Sequence, residues 1–263
     1  MLTFLKLGGS LITDKSQPYT ARPKLIEDLA VQIAAAMKEN PDLQIILGHG
    51  SGSFGHQAAA RYDTRQGVSG LEGWRGFSEV WYQASLLNRM VVDALRKAGL
   101  PALGFSPASS VTAHDGKVFI WDIYPLQSAL TNGLLPVIHG DVAFDEVRGG
   151  TILSTEELFI HLTHQIQPQR ILLAGRESWV WMDFPDRTTY LEELTPEELE
   201  SKIPDVGEAA GADVTGGMRS KIAGMLTLVE EMPELEVFIF SGLEPDNIRQ
   251  ALLGEKVGTH LHR

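Results

Sequence analysis

Short apolar runs of strand length alternate along the chain with longer stretches in which apolar residues recur every three or four positions. Thr3–Leu7 reads as a buried strand. Arg22-Pro23 opens a helix to about Lys38, with Leu25, Ile26, Leu29, Ile33, Ala36 and Met37 on one side and Asn40-Pro41 as its stop. Gln44–Leu47 is a second strand, followed by the glycine-rich Gly48–His56 and a helix-forming run, Gln57–Arg61. Phe77–Lys97 predicts a long helix with Val80, Trp81, Ala84, Leu87, Val91 and Leu95 in one stripe, closed by Gly99. Ala102–Phe105 is a short strand, and Val111–Ile120 reads as a hairpin turning on Asp115-Gly116. Leu135–Ile138 is a strand ending at His139-Gly140-Asp141. Ser154-Thr155-Glu156-Glu157 is a capping box that starts a helix to about Gln167. Strands follow at Arg170–Ala174, Glu236–Phe240 and Gly258–Leu261, with helices at Met218–Glu231 and Pro245–Leu253. Thr195-Pro196-Glu197-Glu198 is a second capping box, and the acidic run Glu192–Glu200 reads as a solvated helix.

This alternation predicts the α/β class, with helices on both faces of a mostly parallel sheet. On such sheets ligands bind beyond the carboxyl ends of the strands. The loops at 8–15, 48–56, 139–141 and 175–178 all follow predicted strands. No internal repeat or low-complexity linker interrupts the chain. A division falls near residue 168, where Gln167-Pro168 precedes a new strand–helix set, giving 1–167 and 168–263 within one continuous domain.

Four glycines between Gly48 and Gly55 let the backbone adopt positive φ and approach a ligand closely. The helix end behind them carries roughly +0.5 of a charge, and such a place holds an anion, most often a phosphate. His56, where that helix is expected to begin, is placed to donate to it. The plain alternative is a tight strand–helix turn with no ligand; two serines and two histidines favour the site. Lys6-Leu7-Gly8-Gly9-Ser10 is a second phosphate candidate, without the Gly-Lys-Ser/Thr of a Walker A loop. Strand alternation puts Phe4 and Lys6 on one face and Leu5 and Leu7 on the other; otherwise Lys6 is an edge-strand lysine that discourages aggregation. Lys15 lies nine residues on, in a loop able to return over the same space, or is simply solvated. Asp213-Val214-Thr215-Gly216-Gly217-Met218, with Lys221 one turn into the next helix, is the third cradle.

Composition narrows the partners. A formal net charge of −12 argues against nucleic acid and anionic membranes, so a phosphate site must be a local basic spot on an acidic body. No cysteine is present, which excludes disulfides, thiolate catalysis and Cys-zinc sites. The first seven residues are apolar but are cut by Lys6 and Gly8-Gly9-Ser10, unlike a signal peptide. No stretch approaches the ~20 apolar residues that span a bilayer. A soluble, cytoplasmic protein is expected. His161 and His164 share a predicted helix face but lack a third ligand, and His260 and His262 read as ordinary surface residues. Three anion cradles, three lysines and a histidine fit phosphoryl transfer between two phosphates, which needs mostly positioning and charge neutralisation.

Lys6–Ser10, the loop at 48–56, Gly140-Asp141 and Asp213–Met218 with Lys221 resemble the amino acid kinase family, in that family's order over nearly the whole chain. The closing His56 narrows the likeness to members that phosphorylate a small phosphate or phosphonate. The resemblance implies a three-layer αβα sandwich with an open central sheet, usually a homodimer, with an acceptor lobe first and a nucleotide lobe second. It implies ATP- and Mg2+-dependent conversion of isopentenyl phosphate to isopentenyl diphosphate, an isoprenoid precursor. A kinase for another small phosphate or phosphonate such as fosfomycin is the close alternative, and a nucleotide-binding sensor without turnover the distant one. By matching motifs, Lys6, Gly8, Gly9 and Ser10 meet the ATP phosphates, with Ser51, Asp213, Gly216, Gly217 and Lys221 serving the nucleotide. Lys15 stabilises the transferring phosphoryl group. Gly50, Gly52, Gly55 and His56 hold the acceptor phosphate. Asp141 orients Lys6 or Lys15 or takes part in magnesium binding, with no dedicated metal site. Phe77 and Val80 are candidates to wall the acceptor's apolar tail. Two stretches depart from the family pattern: Thr155-Glu156, and Gly175–Trp181 beside the nucleotide.

Overall fold

The computed structural model describes residues 1–183, 185–203 and 217–263. The chain opens with β1 (Leu2–Leu7), a single turn α1 (Gly9–Ile12), α2 (Pro23–Glu39) and β2 (Gln44–His49). Next come α3 (Gly52–Tyr62), α4 (Gly70–Lys97), β3 (Ala102–Phe105), β4 (Val111–His114), β5 (Lys117–Trp121) and α5 (Tyr124–Thr131). The middle of the chain holds β6 (Leu135–His139), β7 (Asp141–Asp145), β8 (Gly149–Leu153), α6 (Thr155–Ile166) and β9 (Arg170–Gly175). The rest is β10 (Val180–Trp181), β11 (Tyr190–Leu191), β12 (Glu193–Leu194), α7 (Leu199–Lys202), α8 (Gly217–Glu231), β13 (Glu236–Ser241), α9 (Asn247–Leu252) and β14 (Thr259–Leu261).

Eight strands form the central sheet in the order β12-β14-β13-β9-β1-β2-β6-β3. All neighbours pair in parallel except β13 with β14. β1 lies at the centre, bonded to β2 and β9, so Lys6 is not on an edge. Alternation along β1 sorts the layers. Leu5 and Leu7 join the core under α2, α4 and α9, with Ile33, Leu87 and Leu252. Phe4 joins the core on the other face, with Phe159 of α6 and Met225 of α8. A helix layer on each face makes the expected αβα sandwich, and its buried aliphatic side chains contribute about 1.5–3 kcal/mol each.

Three expectations change. The hairpin over residues 111–120 forms, but it pairs with a second hairpin, β7–β8, in a separate four-stranded sheet. The apolar run Val142-Ala143-Phe144 is too short to stand out by pattern. Asp145 fixes both turns by accepting from the amides of Gly116 (2.7 Å), Val147 (2.8 Å) and Arg148 (2.8 Å). Burial pushes its carboxyl upward, and these amides outweigh that and hold it below the usual range. The acidic run is not a solvated helix: Leu194 is fully buried on edge strand β12, and the Thr195 capping box starts only a short 3-10 turn and α7. Trp81 falls outside the α4 stripe and is exposed.

The Ser154 capping box forms as read. Ser154 Oγ accepts from Glu157 N (3.2 Å), Glu157 Oε2 accepts from Ser154 N (2.6 Å), and Arg65 Nη2 donates to Glu157 Oε1 (2.8 Å). Ser154→Ala removes one cap bond and is expected to cost about 1 kcal/mol. Thermal unfolding should then show Tm lower by about 2–4 °C; an unchanged Tm would show that the cap contributes nothing.

Candidate active site

Two glycine loops lock together at the carboxyl ends of β1 and β2. Gly50 N donates to Leu7 O (3.0 Å), and Gly8 N donates to Ala174 O (2.8 Å) at the end of β9. A Cβ on Gly9 would lie 2.6 Å from Gly52 N, so the loops touch backbone to backbone. Gly52 sits at φ +51, in the left-handed region that favours glycine. Thr13 ties the contact: its Oγ1 donates to Gly9 O (2.6 Å) and accepts from Ser53 N (3.0 Å). Helix α3 therefore begins at Gly52, four residues before His56, which lies on its second turn.

One cleft lies over this unit. Lys6, Gly8, Gly9, Ser10, Lys15, Gly50, Ser51, Gly52, His56, Glu156, Gly175, Met218 and Lys221 line it. The Gly48–His56 loop, the Lys6–Ser10 loop, Lys15 and Lys221 are thus brought together from segments far apart in sequence. Gly217 begins α8, beside Met218. Asp213 and Gly216 lie outside the described residues.

The carboxylate that meets Lys6 is Glu156, at the second residue of α6. Glu156 is buried, its Oε1 forms an ion pair with Lys6 Nζ, and Lys221 Nζ stands 3.9 Å away. Burial alone would raise this carboxyl; the two ammonium groups outweigh it and hold it below the ordinary range. The Thr155-Glu156 departure thus coincides with an acid that joins a lysine of β1 to one of α8. Asp141, expected to orient a lysine, instead accepts from Ser106 Oγ (3.0 Å) and lies 3.4 Å from His139 Nε2. It borders a small adjoining cavity lined by Ser51, Gly55, His56, Ala59, Val80, Gly140 and Ile152. Val80 reaches that cavity. Phe77 does not line it; it packs behind, against Trp74 and Phe144 at ring distances of 5.4 and 5.0 Å.

A buried polar pair supports the loop from below. His49 and His139, register partners on β2 and β6, stack at 5.3 Å and 9°. Burial pushes His49 down to about 3, assisted by His139, so the ring is neutral at physiological pH. The neutral ring donates from Nδ1 to Gly50 O (3.1 Å) and accepts at Nε2 from Asn88 (3.0 Å). Thr155 Oγ1 donates to His49 O (2.7 Å). Pattern alone could not find this pair, because the contact is across strands.

In the other departing stretch, Glu177 accepts from Trp181 Nε1 (3.1 Å) and Arg187 Nη2 (2.8 Å), while Trp179 packs on Tyr190 at 4.8 Å. His161 stacks on Trp121, and His164 faces Glu231 at 3.5 Å, so the two serve separate contacts.

A family model described as the amino acid kinase family matches residues 1–241. The chain belongs to the amino acid kinase family. It is 32% identical to isopentenyl phosphate kinase of Methanothermobacter thermautotrophicus and 30% identical to that of Methanocaldococcus jannaschii, in each case over 99% of this chain and 98% of the relative. A solved X-ray structure of isopentenyl phosphate kinase, 30% identical, superposes with a TM-score of 0.83 over 99% of this chain and all of that one. These likenesses span nearly the whole chain, including the stretch that holds Glu156.

The lowered Glu156 carboxyl sets a pH dependence. Its folded value lies below the unfolded value of about 4.3, so its stabilisation is complete above that pH and is lost as pH falls through the folded value. Glu156→Gln is expected to cost on the order of 3–5 kcal/mol at pH 7, as for breaking a buried pair. Urea midpoints measured against pH should fall more steeply below about pH 4.3 for the wild type than for Glu156→Gln. Parallel curves would contradict the pairing.

Proposed function

We propose that this chain transfers the terminal phosphoryl group of ATP to isopentenyl phosphate, giving isopentenyl diphosphate and ADP. One observation carries the reading: Lys6, Lys15, His56 and Lys221 line a single cleft between two interlocked glycine loops. Full-length relatives named isopentenyl phosphate kinase support it. An oxygen of the acceptor phosphate attacks the γ-phosphorus in line, and the bond from that phosphorus to the β-phosphate oxygen breaks. Charge on the transferred oxygens is met by the lysines. A cation ~4 Å from an oxygen contributes about 4 kcal/mol at an effective dielectric near 20.

In this reading Lys6, Gly8, Gly9, Ser10 and Lys221 hold the ATP phosphates, with Ser51, Gly217, Asp213 and Gly216 completing the nucleotide side. Glu156 is a positioning residue that spaces Lys6 and Lys221. Lys15 neutralises the moving phosphoryl group. His56 donates to the acceptor phosphate, cradled by Gly50, Gly52 and Gly55. Residues 1–167 form the acceptor side and 168–263 the nucleotide side of one domain. The donor set bears on Mg2+: Glu156 supplies the one carboxylate among the described residues lining the cleft, and its Oε1 faces two lysines. An ion accompanying ATP would neutralise phosphate charge and would be held mainly by phosphate oxygens and water.

The small cavity beside His56 favours an alkenyl tail. Ala59, Val80 and Ile152 give it apolar walls, with Phe77 one layer behind. Exposed Trp74, Trp81, Leu86 and Met90 along α4 support a homodimer. No helix among the described residues is long and apolar enough to cross a membrane, which agrees with a cytoplasmic site of action.

ADP release should be compared with isopentenyl phosphate, dimethylallyl phosphate, fosfomycin, a simple amino acid and no acceptor, each with ATP and magnesium. Isopentenyl phosphate is expected to be preferred. Lys15→Ala should lower kcat by about 10²–10³-fold, like the loss of one charge-stabilising donor, and His56→Ala should chiefly raise KM for the acceptor. A preference for fosfomycin, or near-normal turnover in Lys15→Ala, would overturn the assignment.

A further inference from the structure

β14 lies between β12 and β13 at one end of the central sheet, and four side chains share a face there. Glu193 of β12 and Phe238 of β13 are both register partners of His260. His262, two residues on, points the same way. Expected as ordinary surface residues, the two histidines are instead partly buried. His260 lies flat on the Phe238 ring at 4.5 Å and 6°, and His262 packs on His260 at 4.8 Å. Phe238 thereby fixes the His260 ring plane.

The polar atoms of this group point to a ligand. Both ring nitrogens of His260 are buried with no hydrogen-bond partner, a state that buried polar groups avoid. His262 donates from Nδ1 to Arg263 O at 2.7 Å, which leaves a lone pair on Nε2. That Nε2 stands 3.6 Å from Glu193 Oε2. One ligand atom from each of Glu193, His260 and His262 lies within 4.8 Å of the other two.

The geometry points to a binding site for a divalent transition-metal ion of the zinc class, held by Glu193, His260 and His262. Two imidazoles and a carboxylate, with water in the fourth position, are a donor set for Zn2+ or Co2+. Mg2+ prefers oxygen donors alone. Ligand atoms around a tetrahedral zinc at about 2.0–2.1 Å lie roughly 3.4 Å apart. Glu193, exposed, and His262, part-exposed, have the freedom to close that difference around the fixed His260. The carbonyl of Arg263 supplies the outer contact that orients a ligating histidine. None of the three residues lines the cleft. The ion would therefore tie β12 to β14 and affect stability rather than turnover.

The test uses the full chain, stripped of metal, titrated with Zn2+, Co2+ and Mg2+ by calorimetry, Co2+ absorption and thermal unfolding. One Zn2+ should bind saturably, and zinc at a hundred times its Kd should raise Tm by about 5 °C. Glu193→Gln and His262→Ala should each weaken zinc at least tenfold while retaining wild-type turnover, and His161→Ala should bind as the wild type. The proposal is overturned if the wild type shows no saturable zinc binding, if Glu193→Gln and His262→Ala bind zinc as tightly as the wild type, or if Mg2+ gives the same rise in Tm.

Discussion

A single buried carboxylate faces two ammonium groups from opposite ends of the chain. Glu156 lies in the first turn of α6, Lys6 is the last residue but one of the central strand, and Lys221 lies on α8. A lone carboxylate in that position would be costly to desolvate, and so would two neighbouring lysines. Together they hold positive charge at the mouth of the sheet of a protein whose net charge is −12. The pocket's local sign is thus independent of the body around it. An acid at this point spaces two cations that would otherwise repel each other when no phosphate is bound.

The glycine loops give that charge its shape. Contact between Gly9 and Gly52, bridged by Thr13, permits no side chain at either position. The neutral His49 ring, held by Asn88 and by its stack with His139, braces the Gly50 carbonyl from within the sheet. The loops are therefore shaped by the scaffold beneath them, and catalysis of phosphoryl transfer depends on such positioning.

Much of this was legible in the residue pattern. The period changes located the strands of the main sheet other than β12, and the long helices, since β1, α2, α4 and α8 have apolar stripes. Lys6 was conspicuous because a lysine interrupts an apolar strand. Local pattern failed where tertiary pairing decides the outcome. β7 and β8 are short, and Asp145, which holds their turn through Arg148, also reaches Gly116 on the other hairpin. β12 is two residues long and exists through its bonds to β14. Glu156 was visible only as a capping-box residue and as a departure from the family pattern, because its partners are 150 and 65 residues away in sequence. Asp141 was the more obvious acid, next to a glycine at a strand end, yet its carboxylate meets Ser106 and His139.

Phosphoryl transfer in this cleft requires two phosphorylated molecules to meet end to end within the reach of Lys6, Lys221 and His56. A crystal structure of the chain with a non-hydrolysable ATP analogue and isopentenyl phosphate tests this most directly. It should show the γ-phosphate against Lys6 and Lys221, the acceptor phosphate on His56 in the same cleft, and Glu156 still between the lysines. Phosphates bound in separate cavities, or an acceptor bound away from His56, would contradict it.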